Sequence, residues 1–267
     1  MRLSNGSGER QARTLAAAQV EARPGKMEES IEAHLRLAET AADAGASLVI
    51  FPELSLTGYR DTLTLGDAIG PGDGVLEPLA ELAPRRGITI VAGAPLAAGQ
   101  GLMIGSIIFG ADGMRGTYTK RYLHESETPV FAQGNGGPML SVRGTAVGLA
   151  ICAEVNHPAH FPDTVASGAR VYAASSFLSP RGYEKDFLRL TTCTQTLGVP
   201  ALMANFADSP ELEAAGGTAA WDDAGRLLAA APRTGECVVL AEWDGDRWRG
   251  RVVTVSRPAI RSAGTRT

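Results

Sequence analysis

The chain is short of cysteine, of long apolar runs, of positive charge and above all of lysine. Each scarcity closes off a class of protein. The three cysteines, Cys152, Cys193 and Cys237, stand at unpatterned spacing. An odd number without a repeated interval fits free thiols in a reducing compartment rather than a disulfide framework, so a cytoplasmic location is expected. No apolar run approaches the roughly 20 residues that a membrane span needs. Ahead of the first apolar segment stand Arg10 and Arg13, with no continuous hydrophobic stretch of the kind an export signal carries. The 25 Lys and Arg against 29 Asp and Glu leave a net charge of −4, which argues against a nucleic-acid or anionic-membrane partner. Only three of those cations are lysines, Lys26, Lys120 and Lys185. Arginine serves almost everywhere else, so a lysine at a strand end asks for a reason.

What is present is a globular chain. With 267 residues, 44% of them hydrophobic and 20% charged, it can bury a full core. No break in composition and no linker divides it. One domain over residues 13–250 is expected, with 1–12 and 251–267 as flexible or oligomer-contacting tails, the arginine-rich tail beginning at Asp244. Apolar runs of strand type cover Leu15–Val20, Ser47–Phe51, Ile88–Gly93, Met103–Phe109, Met114–Thr119, Thr145–Ile151, Arg170–Ala174, Ala201–Asn205, Thr218–Trp221, Leu227–Ala230 and Cys237–Trp243. Helices are expected over Met27–Ala44, with Ile31, Leu35, Ala38 and Ala42 on its apolar face, over Leu76–Arg85 with an interruption near Pro84, from about Pro158 to Gly168, and over Glu184–Leu197. Arg121–Pro138 reads as one long loop. Strands and helices alternate, with hairpins inserted. That pattern suggests a mixed sheet, or two sheets packed together with helices outside.

Three polar groups stand directly behind apolar runs. Glu53 follows Phe51-Pro52. A carboxylate there is either half of a structural ion pair or a buried acid with a raised pKa, able to take and return a proton near neutrality. Lys120 follows Tyr118-Thr119, where an ammonium supplies a compact point charge. Cys152 ends the Thr145–Ile151 run, with a helix expected beyond it. That position favours a thiolate, although most free cysteines are small buried hydrophobes. If the strands are neighbours, carboxylate, ammonium and thiol meet in one cleft.

These three stretches resemble, in order, the motifs of the nitrilase superfamily, the carbon–nitrogen hydrolases. The matches are Phe51-Pro52-Glu53 with Leu56-Thr57-Gly58-Tyr59, then Tyr118-Thr119-Lys120, then Gly148-Leu149-Ala150-Ile151-Cys152-Ala153-Glu154. Gly217–Arg226 is similar to the family's late hairpin, and the likeness runs from about Leu15 to Trp243. There are departures. Tyr122 stands where many members have histidine, Ala153 where an aromatic is common, and His157-Pro158-Ala159 where Phe-Pro-Glu is usual, with Phe161-Pro162-Asp163 a shifted competitor.

The resemblance implies an α/β fold, a four-layer α-β-β-α sandwich of two mixed sheets flanked by helices, paired into homodimers or larger oligomers. It implies a hydrolase acting on the C–N bond of a small amide through a cysteine thioester, amidase- or ω-amidase-like. Nitrile and N-carbamoyl amine hydrolysis are alternatives, and Asn156 stands where an arginine would have supported the latter. The implied catalytic residues are Glu53, Lys120 and Cys152, with a second glutamate, Glu127 in preference to Glu125. Tyr59, Ala153, Glu154, Asn156 and Phe177 are candidate substrate contacts. Arg181 and Tyr183, in the loop expected after Arg170–Ala174, are candidates for holding a carboxylate or polar group. The implied partners are the small-molecule amide or nitrile and water, and no cofactor or metal is required. Rival readings are a Cys152–His157 dyad, a metal site from His157, His160 and Asp163 at a spacing that fits no strong ligand pattern, and a catalytically silent small-molecule binder.

Overall fold

Alternate residues of each apolar strand go to different layers, and this alternation builds the molecule. The computed structural model describes residues 13–60, 62–99 and 101–255. Of the expected tails 1–12 and 251–267, residues 1–12 and 256–267 lie outside the described residues. The strands are β1 (Arg13–Glu21), β2 (Ala46–Ile50), β3 (Thr89–Ala98), β4 (Gly101–Phe109), β5 (Arg115–Thr119), β6 (Leu140–Val142), β7 (Thr145–Ile151), β8 (Val171–Ser175), β9 (Ala201–Ala204), β10 (Phe206–Ala207), β11 (Ala219–Trp221), β12 (Leu227–Ala230), β13 (Cys237–Trp243) and β14 (Trp248–Thr254). The helices are α1 (Met27–Asp43), α2 (Glu77–Arg86), α3 (His160–Ala166) and α4 (Pro180–Leu197).

One sheet has the order β14-β13-β1-β2-β3-β4-β5, with β10 added along β1; the other runs β12-β11-β9-β8-β7-β6. Leu15 and Ala17 of β1, Leu48 and Ile50 of β2, and Val91 of β3 turn inward. There they meet Val147, Leu149 and Ile151 of β7 and Val171 and Ala173 of β8, forming the core between the sheets. The intervening residues, among them Ala16, Ala18, Val49 and Ile90, face α1 and α2. Tyr172 and Ala174 face outward with Phe161 of α3 and Leu190 of α4. The result is the four-layer α-β-β-α sandwich. Each buried Leu, Ile or Val in these clusters contributes about 1.5–3 kcal/mol.

Strand direction decides where the chemistry goes. β2 and β3 are parallel, and β4 then β5 each reverse direction. Two reversals make β5 run with β2, so Glu53 and Lys120 leave the first sheet at the same end. β7 and β8 are parallel in the second sheet.

Several expectations are corrected. The buried face of α1 is Ile31, His34, Leu37, Ala38 and Ala41, while Leu35 and Ala42 are only partly buried. The face rotates because His34 is accepted in the core: its ring nitrogens bond Ser30 O at 2.6 Å and Ser55 Oγ at 2.8 Å. α2 runs through Pro84 to a left-handed Gly87, without interruption. α3 begins two residues later than expected, because Cys152–Asn156 forms a separate 3-10 turn. α4 begins at Pro180, so Arg181 and Tyr183 belong to its first turn and not to a loop. The segment read as a tail from Asp244 forms β14, which pairs with β13 along its whole length and carries the sheet past residue 250 to Thr254. The long loop is pinned by bridges Leu102–Phe131 and Thr119–Gly136.

Candidate active site

Glu53 sits in a tight turn directly behind β2. Leu54, the next residue, has φ of 53°, a value a leucine seldom adopts. Gly93 of β3 permits the turn to lie this close, since a Cβ there would stand 2.2 Å from Pro52 O. Ser55 holds the turn from the other side, accepting Gly93 N–H at 3.1 Å. Cys152 also has a left-handed backbone, φ 43°, at the junction of β7 and the 3-10 turn. Two strained non-glycine residues beside the three candidate polar groups fit the tendency of strain to gather at functional sites.

Lys120, wholly buried behind β5, joins the two glutamates. Its Nζ donates to Glu53 Oε1 at 2.6 Å and to Glu127 Oε1 at 2.7 Å. Glu127 closes the 3-10 turn Glu125–Glu127 and is buried, while Glu125 is exposed. Its second oxygen accepts His124 N–H at 2.7 Å. Glu53 Oε2 is buried without a hydrogen-bond partner among the described residues. The Cys152 thiol donates to Phe177 O at 3.4 Å.

Burial pushes the Glu53 carboxyl up to about 7, with the Lys120 ammonium pulling against it and the Glu127 carboxylate adding to it. Burial likewise raises the Cys152 thiol well above its ordinary value, and Glu53 adds to this. Burial alone would lower Lys120, but Glu53, Cys152 and Glu127 together hold it above its usual value. Cys152 therefore rests as a thiol, close to a carboxyl whose proton is exchangeable at neutral pH.

Glu53, Glu127 and Cys152 open onto a cleft of about 340 Å³, with Tyr59, Ala153, Asn156 and Phe177 on its walls. Tyr59 and Phe177 pack with ring centroids 4.5 Å apart and make the apolar side. Three of the substrate contacts expected from the sequence, Arg181, Tyr183 and Glu154, do not line this cleft. Arg181 is exposed on α4 and does not line it. Glu154 is fully buried, because the 3-10 turn points its side chain underneath Cys152. There it accepts Ile151 N–H at 2.7 Å, Arg121 N–H at 2.7 Å and the Tyr118 hydroxyl at 2.9 Å. One carboxylate thus clamps the residue before Cys152 to the residue after Lys120. Tyr183 donates to Gly217 O at 2.8 Å, which fixes the late hairpin to α4.

The histidine readings dissolve in packing. His157 stacks on Tyr122 at 3.5 Å, and the ring nitrogens of His160 are bonded to Tyr118 and Tyr172. Sequence reasoning missed Asp186 and His124, which also line the cleft. Asp186 is a charged residue on the buried side of α4, a weak signal in an amphipathic helix.

The carbon-nitrogen hydrolase family model matches residues 14–250. A Mycobacterium tuberculosis protein named as a hydrolase is 29% identical over 147 residues, 52% of this chain and 52% of that protein. Nitrilase 3 of Arabidopsis thaliana is 30% identical over 157 residues, 50% of this chain and 45% of its own length. The matched stretch thus spans about half the length of these curated relatives. Among solved structures, a double mutant of an amidase from Nesterenkonia sp., in complex with acrylamide, superposes with a TM-score of 0.78 at 21% identity, covering 92% of this chain and 95% of that one. Another mutant of that amidase, with the acetamide moiety of fluoroacetamide covalently added at its active-site cysteine, gives 0.75 at 22% identity, covering 88% and 92%.

Proposed function

The chain belongs to the carbon–nitrogen hydrolase family, and on that premise we propose that it is an amidase, ω-amidase-like in size of substrate, that cleaves the C–N bond of a small amide through a thioester on Cys152. The observation that carries this reading is the buried ammonium of Lys120, shared between Glu53 and Glu127 beside a thiol at one cleft. The cysteine adduct of the Nesterenkonia amidase supports the same role for Cys152.

Glu53 takes the thiol proton as the sulfur attacks the carbonyl carbon. The C=O electron pair moves onto oxygen. Lys120 has three N–H donors and spends two on the glutamates, leaving the third for that oxygen together with the Ala153 N–H. The intermediate collapses, the C–N bond breaks, and the amine leaves with the proton from Glu53. Water, deprotonated by the same carboxylate, attacks the thioester. The acid departs and the thiol regains its proton. The sum is amide plus water giving acid plus amine. Glu127 holds Lys120 throughout.

Amide is favoured over the N-carbamoyl alternative because Asn156 spends its amide on Asp186 at 2.6 Å and offers no cation. The free thiols Cys152, Cys193 and Cys237 suit a reducing cytoplasm. Self-association through the outer helix layer belongs to the same reading, Leu188 of α4 being 65% exposed. Ammonia release from a panel of small amides, carbamoyl amines and nitriles tests the proposal. Wild-type turnover of amides with loss of about 10⁴-fold or more in Cys152→Ala is expected. Turnover that survives this substitution sinks the thioester route.

A further inference from the structure

The cleft that holds the apolar Tyr59–Phe177 pair carries, besides Glu53 and Glu127, a third buried carboxylate. Asp186 lies on α4, is 5% exposed and lines the same space as Cys152. Its Oδ1 accepts the Asn156 amide at 2.6 Å. Among the described residues its Oδ2 makes no hydrogen bond and no Lys, Arg or His lies within ion-pair distance of it, Lys185 and His124 drawing on it only from further off. A buried anion held by one neutral donor is under-compensated, since removing a charge from water costs several kcal/mol unless a cation or further donors replace the lost hydration.

The charges around it point the same way. Lys120 is a single cation placed between two carboxylates, so the catalytic end brings no surplus positive charge. Lys185 is the remaining ammonium at the cleft, and it is exposed to solvent. A negatively charged substrate would meet a buried carboxylate, with the exposed side chains of Lys185 and His124 as its counterweight. A substrate bearing a cation would meet the reverse. At about 340 Å³ the cleft is near the small end for ligand sites, so both ends of one short molecule reach its walls together.

We propose that Asp186 makes this cleft selective for short amides that carry a protonated amine away from the scissile bond. Asp186 Oδ2 accepts from the ammonium, Asn156 fixes the carboxylate, and the Tyr59–Phe177 side covers the methylene chain. The inference rests on the amidase reading and names its substrate class.

The test compares kcat/KM for amino-terminated amides of increasing chain length, each beside the amide with methyl in place of the ammonium and the amide with a terminal carboxylate. Wild type is expected to prefer the amino member of its best-fitting set by about tenfold or more, the size of one charged hydrogen bond. Asp186→Asn keeps the shape and removes the charge, and should bring that preference close to unity, mainly through KM. The wild-type ranking stands by itself if the variant does not fold. Turnover of methyl-terminated amides without preference for the amino partners overturns the inference and leaves the amidase reading intact. A preference for the carboxylate series, or an amino preference undiminished in Asp186→Asn, overturns it too. Silence towards every amide overturns both.

Discussion

Two buried polar clusters lie back to back in this protein, and they are built on opposite terms. The cluster facing the cleft, Glu53–Lys120–Glu127, is strained and incompletely satisfied: Leu54 and Cys152 have left-handed backbones, and Glu53 Oε2 has no partner. The cluster beneath it, Glu154–Tyr118–His160–Tyr172, is closed. The Tyr172 hydroxyl donates to His160 Nδ1 at 2.8 Å, His160 Nε2–H to the Tyr118 oxygen at 3.0 Å, and the Tyr118 hydroxyl to Glu154 at 2.9 Å. This direction, assigned from the network, needs a neutral histidine. Burial agrees, lowering His160 to about 3. A satisfied network rigidifies its surroundings, whereas an unsatisfied one keeps free energy available for a reacting partner. The closed cluster fixes the backbone on which the open one is strung, through the two N–H groups of Ile151 and Arg121 held by Glu154.

The sharpest way to break this contrast is Lys120→Met. In the open cluster it removes an oxyanion donor, expected to lower kcat by about 10²–10³-fold. It also leaves two buried carboxylates without their cation, a loss of about 3–5 kcal/mol in denaturant unfolding. Wild-type kcat in this variant would remove Lys120 from the chemistry. Glu154→Gln attacks the closed cluster. The amide keeps an acceptor for one backbone N–H but puts an NH₂ against the other. Stability should fall by about 1–3 kcal/mol. The signature of a positioning residue is that kcat falls while KM for the same amide stays nearly unchanged. A rise in KM alone would return Glu154 to the substrate site. Tyr118→Phe removes one hydroxyl and should cost about 1 kcal/mol with little change in kcat.

pH separates the clusters most gently. Glu53 must be ionised to accept the thiol proton, so kcat/KM should climb as pH rises through about 7 and lose that limb in Glu53→Gln. Stability follows from the same shifts with opposite signs. The folded-state pKa of Glu53 is raised from 4.5 to about 7, so between these values the folded protein holds a proton that the unfolded chain has released, and its contribution falls as pH rises. His160 is lowered from 6.5 to about 3, so across that window the unfolded chain takes a proton the folded protein refuses, and stability falls as pH drops. Denaturant titrations at pH 5 and pH 8 should show Glu53→Gln gaining on wild type at the higher pH and His160→Gln gaining at the lower. Parallel curves would mean that neither group is tuned as described.

Much of the open cluster was legible in the chain. Glu53, Lys120 and Cys152 each end an apolar run, and polar groups at such places are buried by the strand that precedes them. Glu127 was open to confusion with Glu125, because in a loop only the turn decides which side chain points inward. The closed cluster was invisible. Glu154 looked like a neighbour of the substrate because it stands two residues from Cys152, yet a 3-10 turn rotates it to the far side. Arg181 looked like loop and belongs to a helix that starts earlier, at Pro180.

The sequence by itself determined the buried strands and the polar groups at their ends, because apolar runs are local properties set by burial. The four layers were implied by the resemblance to the family and not by the pattern alone. Only the tertiary structure decided which glutamate meets Lys120, that Glu154 serves the backbone, and that Asp186 of α4 lines the same cleft as the thiol. Those relations depend on strand direction, turn geometry and helix rotation, quantities that no local pattern of side chains encodes.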